Sequence, residues 1–183
     1  GYQIDLSKDH TYPMPKTLNN FEITNNNPKV GIAPFAKHIG KVYPLDLMQK
    51  IIAYLSKKNQ VFLFGFGDEL KILEKWKSSY KNVDCPSSNL NFKQEVELIS
   101  NLDLMISMDS ANGHIASIYN VPVITIWGLT HPFTGFSTFN SIEENQFTVD
   151  RTKFPLIPTS IYGNKKIKGY EDAMRSVDLN GLL

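Results

Sequence analysis

Two polar turns, each directly after an apolar run, carry the residue types best suited to binding chemistry. Asp109 follows the run 104–108, and the turn 128–130 follows the run 121–127. Between them, small residues lead into a short helix that ends near Tyr119. Strand, turn, helix, strand and turn make a βαβ unit with both strands buried. Ligands of open α/β sheets bind beyond the carboxyl ends of the strands, so we expect both turns to face one crevice.

The helix after the first turn offers backbone amides that could bind an anion. We expect Asp109 or Ser110 to cap this helix, and the first-turn amides of Ala111, Asn112 and Gly113 have no partner within it. A diphosphate bound there would lie close to the Asp109 carboxylate. That arrangement is unfavourable unless a nearby cation offsets the negative charge.

His114 stands in the first turn of the same helix. It could donate to a phosphate or a sugar hydroxyl, or it could pack between Ala111 and Ile118, one turn away on either side. A metal site is not indicated, because the four histidines are scattered and the chain has no HExxH or CxxC spacing.

The loop 35–44 leaves the first apolar run, residues 29–34, where a phosphate-binding loop would. It lacks the GxGxxG and GxxxxGK[ST] spacings, but it contains Lys37 and Lys41. Lysine binds phosphate as a compact charge with three donors. Lys37 is better interpreted as a solvated basic residue, whereas Lys41, beside a helix start, suits either role. Lys41 is one cation that could offset the charge of a diphosphate beside Asp109.

A second loop, residues 65–69, ends the apolar run 61–64 and contains Asp68 and Glu69. A carboxylate about 20 or more residues beyond a first phosphate loop can accept hydrogen bonds from ribose hydroxyls. Acidic residues in a first helical turn can also simply complement the helix dipole. We favour the dipole role for Asp68, and both roles stay open for Glu69.

Apolar runs typical of strands alternate with stretches of helical periodicity. Strands are predicted at 29–34, 61–64, 81–85, 104–108, 121–127 and 146–150, and helices at 44–57, 68–77, 92–100, 111–119 and 170–177. Asn91 and Gln94 have the spacing of a reciprocal capping box at the start of the third helix. The alternation predicts an α/β protein, a three-layer α/β/α domain built on one mostly parallel sheet.

Length and composition suit one globular domain of 183 residues, with 42% hydrophobic and 20% charged residues. The net charge of +1 gives no strong field for nucleic acid. A single cysteine, Cys85, excludes an intramolecular disulfide and fits a reducing compartment. No apolar run approaches the roughly 20 residues of a membrane span. The chain starts at Gly1 without methionine, so we expect it to be a piece of a longer protein.

Three parts are expected along the chain: a lead-in, an α/β domain and a carboxyl-terminal tail. The lead-in, residues 1–28, is read as an extended linker or as a disordered remnant. The domain covers residues 29–150. The tail, residues 151–183, is expected to cross the domain irregularly and to contain one short helix.

Residues 109–116 resemble the D-[ST]-G-x-x-H-x-A signature of the ADP-heptose:lipopolysaccharide heptosyltransferase family, glycosyltransferase family 9. Three further pieces resemble that family in the same order. They are residues 30–34 with Lys41 and Pro44, residues 64–65 with Glu69, and residues 123–132. Ala111 stands where the family usually has glycine. A Cβ there limits how closely a phosphate approaches and restricts φ to negative values, so we expect it to alter donor affinity or identity.

The resemblance implies a GT-B architecture, in which two Rossmann-like domains enclose a cleft, and this chain resembles the carboxyl-terminal, donor-binding half. It implies an inverting, metal-independent glycosyltransferase without a cofactor, whose substrate is a nucleotide-sugar, with an ADP-sugar favoured. The acceptor, lipopolysaccharide or a related surface or lipid-linked glycan, would bind an amino-terminal domain that also carries the catalytic carboxylate. No catalytic residue is then expected in this chain, which would be inactive alone.

The donor-binding residues implied by the resemblance lie in four loops: Lys41, Glu69, Asp109, Ser110, Ala111, Asn112, Gly113, His114 and Thr130. Lys41, Ser110, His114 and the helix amides would stabilise the leaving diphosphate. Glu69 would orient the nucleoside, and Asp109 the sugar or the turn itself. The resemblance also implies a cytoplasmic location, free or peripheral to the inner face of the plasma membrane. The competing class is a non-catalytic Rossmann-like module that binds a nucleotide or another protein.

Overall fold

The computed structural model describes residues 10–18, 26–139 and 141–178. Within these ranges, strands and α-helices alternate along the chain. The strands are β1 (Lys29–Ala33), β2 (Gln60–Leu63), β3 (Val83–Asp84), β4 (Leu104–Met108), β5 (Val123–Ile126) and β6 (Gln146–Phe147). The α-helices are α1 (Leu45–Leu55), α2 (Glu69–Ser79), α3 (Phe92–Ile99) and α4 (Ala111–Ile118).

The strands form one six-stranded sheet in the order β3-β2-β1-β4-β5-β6, and every neighbouring pair is parallel. This is the strand order of the Rossmann fold, and its direction reverses between β1 and β4. The two central strands pair in register from Val30 opposite Leu104 to Ala33 opposite Ser107. Their carboxyl ends therefore lie side by side at the point where such folds bind ligands.

The core is divided between the two faces of the sheet, because successive strand residues point to opposite sides. One cluster joins the sheet to α1, α2 and the tail, and includes Val30, Ile32, Val61, Leu63, Ile106, Ile51, Ile52, Leu73, Trp76, Ala173 and Met174. The other joins the sheet to α3 and α4, and includes Ala33, Phe62, Phe64, Met105, Leu98, Ile99 and Ala116. Helices thus cover both faces, and the predicted three-layer α/β/α architecture is confirmed.

Two local signals set helix starts as the sequence predicts. Pro44 occupies the N-cap position of α1, where its missing amide costs nothing, and its carbonyl accepts from the amides of Leu47 and Met48. At the start of α3, Asn91 and Gln94 exchange side-chain-to-backbone hydrogen bonds of 3.1 and 2.9 Å. The predicted capping box is confirmed.

The tail differs from the prediction. In place of an amphipathic helix over residues 170–177, the chain forms one short 3-10 helix, Ala173–Ser176. It is preceded by Gly169 in the left-handed region, with φ of 86°, which interrupts helical geometry. Ala173 and Met174 are buried in the core, and Arg175 makes two 3.0 Å hydrogen bonds to Asp46 of α1. Tertiary packing therefore positions this segment, not helical periodicity.

Residues 10–18 of the lead-in contact the domain without forming a helix or strand. The Lys16 amide donates to Ser100 Oγ at 2.9 Å, and the His10 ring lies 4.4 Å from the Phe139 ring, centroid to centroid. Residues 1–9 and 19–25 of the lead-in lie outside the described residues. Lys16 and His10 therefore tie the described part of the lead-in to the domain.

Candidate functional site

An ion pair lies at the carboxyl ends of the two central strands. Lys41 ends the 3-10 helix Ile39–Lys41 that follows β1, and Asp109 directly follows β4. Lys41 Nζ is 2.6 Å from Asp109 Oδ2, and the two side chains are only 12% and 6% exposed. The structure therefore brings together two residues separated by 68 positions, as the charge requirement of the Asp109 turn predicts.

Close backbone packing holds the Lys41 loop against the turn after β5. The Leu129 amide donates to the Gly40 carbonyl at 2.8 Å. A Cβ on Gly128 would lie 2.9 Å from the Lys41 Cα, so this position requires a residue without a side chain. The glycine between the fifth strand and Thr130 thereby fixes the backbone that carries the lysine.

Thr130 is fully buried beside the ion pair. Its hydroxyl lies 3.5 Å from Asp109 Oδ2, a long hydrogen bond. The tail covers it: a Cβ on Gly163, where φ is 64°, would lie 2.8 Å from Thr130 Cγ2. In this conformation Thr130 supports Asp109 and does not reach the surface, so its implied contact with a donor would require the tail to move.

The start of α4 departs from the expected capping. Ser110 occupies the N-cap position, but its side chain does not bond to the helix, and Asp109 bonds to Lys41 instead. Ser110 Oγ lies 3.0 Å from Ser107 Oγ. Ser107 donates its own proton to the Met108 carbonyl at 2.6 Å, so Ser110 is the donor of the serine–serine bond. The first-turn amides of α4 consequently keep no side-chain cap.

The remaining signature residues occupy both sides of α4. Ala111 is exposed at the first helical position, where a negative φ suits any residue. Gly113 is buried, and a Cβ on it would lie 3.2 Å from both Ser107 Cβ and Oγ. Gly113 therefore lets the helix pack closely on β4, the role of the last glycine in dinucleotide-binding fingerprints.

His114 is partly exposed on the outer side of α4. Its neighbours one turn away, Ala111 and Ile118, are both exposed, so this side of the helix faces solvent. His114 therefore lies on the solvent side of α4, between Ala111 and Ile118 along the helix.

Glu69 lies after β2, next to the central pair of strands. Its Oε2 accepts from the Phe66 amide at 2.8 Å and closes the turn that begins α2. The second carboxylate oxygen can still accept a further hydrogen bond. Asp68 is almost fully exposed and pairs with Lys71 at 2.8 Å, which fits the surface role expected for it.

Two aromatic residues that no sequence motif indicated lie beside the ion pair. The Phe136 ring centroid is 6.0 Å from Lys41 Nζ, at the limit of a cation–π contact. The Tyr162 ring from the tail lies 6.1 Å from the Phe136 ring, centroid to centroid. Both follow apolar or proline-rich segments without periodic spacing, so no sequence signal places them together.

His131 precedes this aromatic pair in the loop after β5. Burial, with a smaller effect of the Arg151 charge, lowers the pKa of His131. Its imidazole is therefore neutral at pH 7, and Nδ1 accepts from the Phe133 amide at 3.4 Å. The histidine of this loop organises the turn.

A cleft of about 610 Å³ lies between residues 37–44 and tail residues 163–175. It shares Gly40, Leu129 and Gly163 with the surroundings of the ion pair, but it contains no residue of the 109–114 turn. Among the described residues, no group of three or more His, Cys, Asp or Glu could hold a metal ion. No helix in the same part of the chain is long and apolar enough to cross a membrane.

Comparisons with known proteins agree with this geometry. The chain resembles E. coli ADP-heptose LPS heptosyltransferase II with a TM-score of 0.58 and 18% identity, over 72% of this chain and 40% of that one. It resembles a family 9 glycosyl transferase from Veillonella parvula DSM 2008 with a TM-score of 0.63 and 14% identity, over 83% and 43%. For E. coli heptosyltransferase WaaC with ADP the TM-score is 0.51 and the identity 16%, over 56% of this chain and 34% of that one. These similarities confirm the Rossmann-like fold.

The chain thus spans about two fifths of the length of these structures. No curated protein matches it. A model of one family, however, matches residues 3–160, which include the loops that carry Lys41, Glu69, Asp109 and Thr130. The chain belongs to glycosyltransferase family 9 (heptosyltransferase).

Proposed function

We propose that this chain is the donor-binding half of a GT-B glycosyltransferase that transfers a sugar from a nucleotide-sugar, an ADP-sugar by preference. The acceptor would be lipopolysaccharide or a related surface glycan. It would be held, together with the catalytic carboxylate, by an amino-terminal domain that would form the other wall of the cleft. The reaction would invert the anomeric centre without a metal ion. The enzyme would work in the cytoplasm, free or at the inner face of the plasma membrane.

The ion pair between Lys41 and Asp109 is the observation that carries this proposal. A lysine held by one carboxylate still has two N–H donors, and these can reach a phosphate oxygen. The first turn of α4 adds uncapped amides and the positive end of its dipole. A diphosphate between Lys41 and these amides would meet the remaining Nζ–H donors of a lysine whose charge offsets Asp109, and the positive end of the α4 dipole.

The order of the strands gives the bound donor a direction. Glu69 follows β2, Lys41 follows β1, the 109–114 turn follows β4, and Thr130 follows β5. With the nucleoside at Glu69, the diphosphate lies at Lys41 and α4, and the sugar lies toward β5. The leaving diphosphate would develop its charge where the Lys41 ammonium and the helix amides are already fixed, which lowers the barrier without reorganisation.

Solved heptosyltransferases with this fold support an ADP-sugar as the donor. WaaC was solved with ADP, and also with ADP-2-deoxy-2-fluoro heptose. ADP-heptose is therefore the first nucleotide-sugar to test with this chain.

Isothermal titration calorimetry with ADP, UDP and adenosine tests the proposal. We expect ADP to bind below millimolar concentration and adenosine to bind much more weakly, since the diphosphate supplies the contacts to Lys41 and α4. If neither ADP nor UDP binds at millimolar concentration, the donor-site assignment is wrong.

The second candidate is a non-catalytic module that binds a nucleotide for regulation or another protein. Two observations support it. The Thr130 hydroxyl lies 3.5 Å from Asp109 Oδ2, and the tail at Gly163 packs against Thr130 and the Lys41 side chain. The sequence encoded upstream of this chain discriminates the two. A glycine-rich domain with a carboxylate beyond its first strand favours the enzyme, and an unrelated partner domain favours the module.

A further inference from the structure

Phe136 and Tyr162 form an aromatic pair on the β5 side of the ion pair. Phe136 is 36% exposed and Tyr162 is 59% exposed, so both rings offer a face to solvent. The Phe136 ring also contacts the Lys41 ammonium across 6.0 Å. A ligand group attached directly to a phosphate on Lys41 would therefore lie within reach of the Phe136 ring.

We propose that Phe136 and Tyr162 bind the sugar ring of the donor by stacking against its apolar face, and so act as positioning residues for the transferred group. This inference rests on the proposed function. Both the ribose and the transferred sugar are attached directly to the diphosphate. The ribose lies toward Glu69 and β2, which leaves the transferred sugar on the β5 side of Lys41, where the aromatic pair stands.

The chemistry of the two rings suits a sugar. The C–H groups on one side of a pyranose form a small apolar surface, which an aromatic ring covers well, and a tyrosine adds a hydroxyl for a sugar hydroxyl. The two ring centroids lie 6.1 Å apart and the ring planes are inclined by 48°.

Tyr162 comes from the tail and lies beyond residues 3–160, the part that the family model matches. Two contacts hold this tail segment in place. The Thr159 amide donates to the Leu129 carbonyl at 3.0 Å, and Gly163 packs on Thr130. Tyr162 therefore reaches the sugar end of the proposed site from a segment outside the part of the chain that the family model matches.

The test compares ADP with ADP-heptose by calorimetry on the whole chain. Wild type is expected to bind ADP-heptose more tightly than ADP, because the sugar adds contacts. Phe136→Ala and Tyr162→Ala should each weaken ADP-heptose by about ten-fold, which corresponds to roughly 50 Å² of lost apolar burial, with less than about two-fold loss for ADP. Phe136→Tyr keeps an aromatic face and should retain the difference between the two ligands.

Phe133→Ala is the matched control. Phe133 is an exposed aromatic residue in the same loop, but its ring packs on His131 and Arg151, away from Lys41. The Phe133→Ala variant should leave the affinities for ADP and for ADP-heptose unchanged. Three results would overturn the inference without affecting the donor site. They are an equal loss of affinity for ADP and ADP-heptose in Phe136→Ala, no loss of affinity in either alanine variant, and equal wild-type affinity for the two ligands. Absence of ADP binding to wild type would instead overturn the proposed function and the inference with it.

Discussion

Lys41 Nζ lies 2.6 Å from Asp109 Oδ2, and this pair joins the loops that follow the two central strands of the sheet. Both side chains are largely shielded from water, so neither charge is tolerated well without the other. Loss of either residue should therefore affect both the candidate site and the stability of the fold. The pair also provides a cation that stays in place before any phosphate arrives.

Replacing Lys41 should lower the stability of the whole domain. Lys41→Ala leaves the Asp109 carboxylate buried without its partner, and we expect a loss of about 3 kcal/mol in the free energy of unfolding by urea. Adding Asp109→Asn should recover part of that loss, because the uncompensated charge is gone. Lys37→Ala, at an exposed lysine of the same loop, should stay within about 0.5 kcal/mol of wild type. A loss no larger than that of Lys37→Ala would contradict a buried, mutually dependent pair.

Measurements of ligand affinity distinguish the role of Lys41 in binding from its role in stability. Under conditions where the variant is still folded, Lys41→Ala should weaken ADP much more than adenosine. The reason is that the ammonium contacts the diphosphate and not the nucleoside. Titration of both ligands against wild type and variant gives the comparison. Equal losses for ADP and adenosine would mean that Lys41 is not a phosphate ligand.

The Ser110 hydroxyl donates to Ser107 Oγ in this structure and must turn to donate to a phosphate. Ser110→Ala should therefore weaken ADP by about ten-fold, the value of one hydrogen bond to a charged group. Ser110→Thr keeps the hydroxyl and should bind ADP nearly as wild type does. Ser117→Ala removes a hydroxyl from the same helix that donates to the His114 carbonyl, and should leave affinity unchanged. A Ser110→Ala variant with wild-type affinity would exclude this contact.

Ala111→Gly tests the expectation that a Cβ at the start of α4 alters donor affinity. Ala111 is exposed at the first position of α4, where we expect its Cβ to limit the approach of a phosphate to the amides. We expect glycine to tighten ADP binding while lowering stability by up to about 1 kcal/mol, the helix penalty of glycine. Calorimetry and urea unfolding measure the two effects on one variant. Unchanged or weaker ADP binding would show that the methyl group does not limit the approach.

Cys85 should behave as an inert thiol in the folded protein. Burial, with a smaller effect from Glu74, raises the pKa of Cys85 to about 11. At pH 8 only about one thiol in a thousand is then ionised, so reaction with Ellman's reagent should follow global unfolding. The raised pKa stabilises the fold fully below the unfolded value near 8.5, and this contribution declines as pH rises from there through about 11. Rapid labelling of the native protein at pH 8 would contradict this account.

The fold could be predicted from the sequence because the local helix and strand signals agree with the overall α/β pattern. Apolar runs of strand length alternate with helical spacing, and Asn91 with Gln94 encodes a cap that the structure contains. The link between Lys41 and Asp109 also followed from charge alone, since a diphosphate beside a carboxylate requires a cation.

Other features depend on the path of the tail, which periodicity does not encode. Thr130 is buried because Gly163 lies over it, and Tyr162 reaches Phe136 for the same reason. The bond between Ser110 and Ser107 likewise depends on the side-chain geometry at the end of β4. Hydrophobic patterns predict which residues are buried. They do not predict whether the Ser110 hydroxyl bonds to the first-turn amides of α4 or to Ser107.

Backbone amide NMR shifts during an ADP titration locate the bound diphosphate in the domain. If the diphosphate binds as proposed, the largest changes fall on Ala111, Asn112 and Gly113, with further changes in the Lys41 loop. Changes confined to residues 163–175 would place the nucleotide in the 610 Å³ cleft and rule out the proposed donor site.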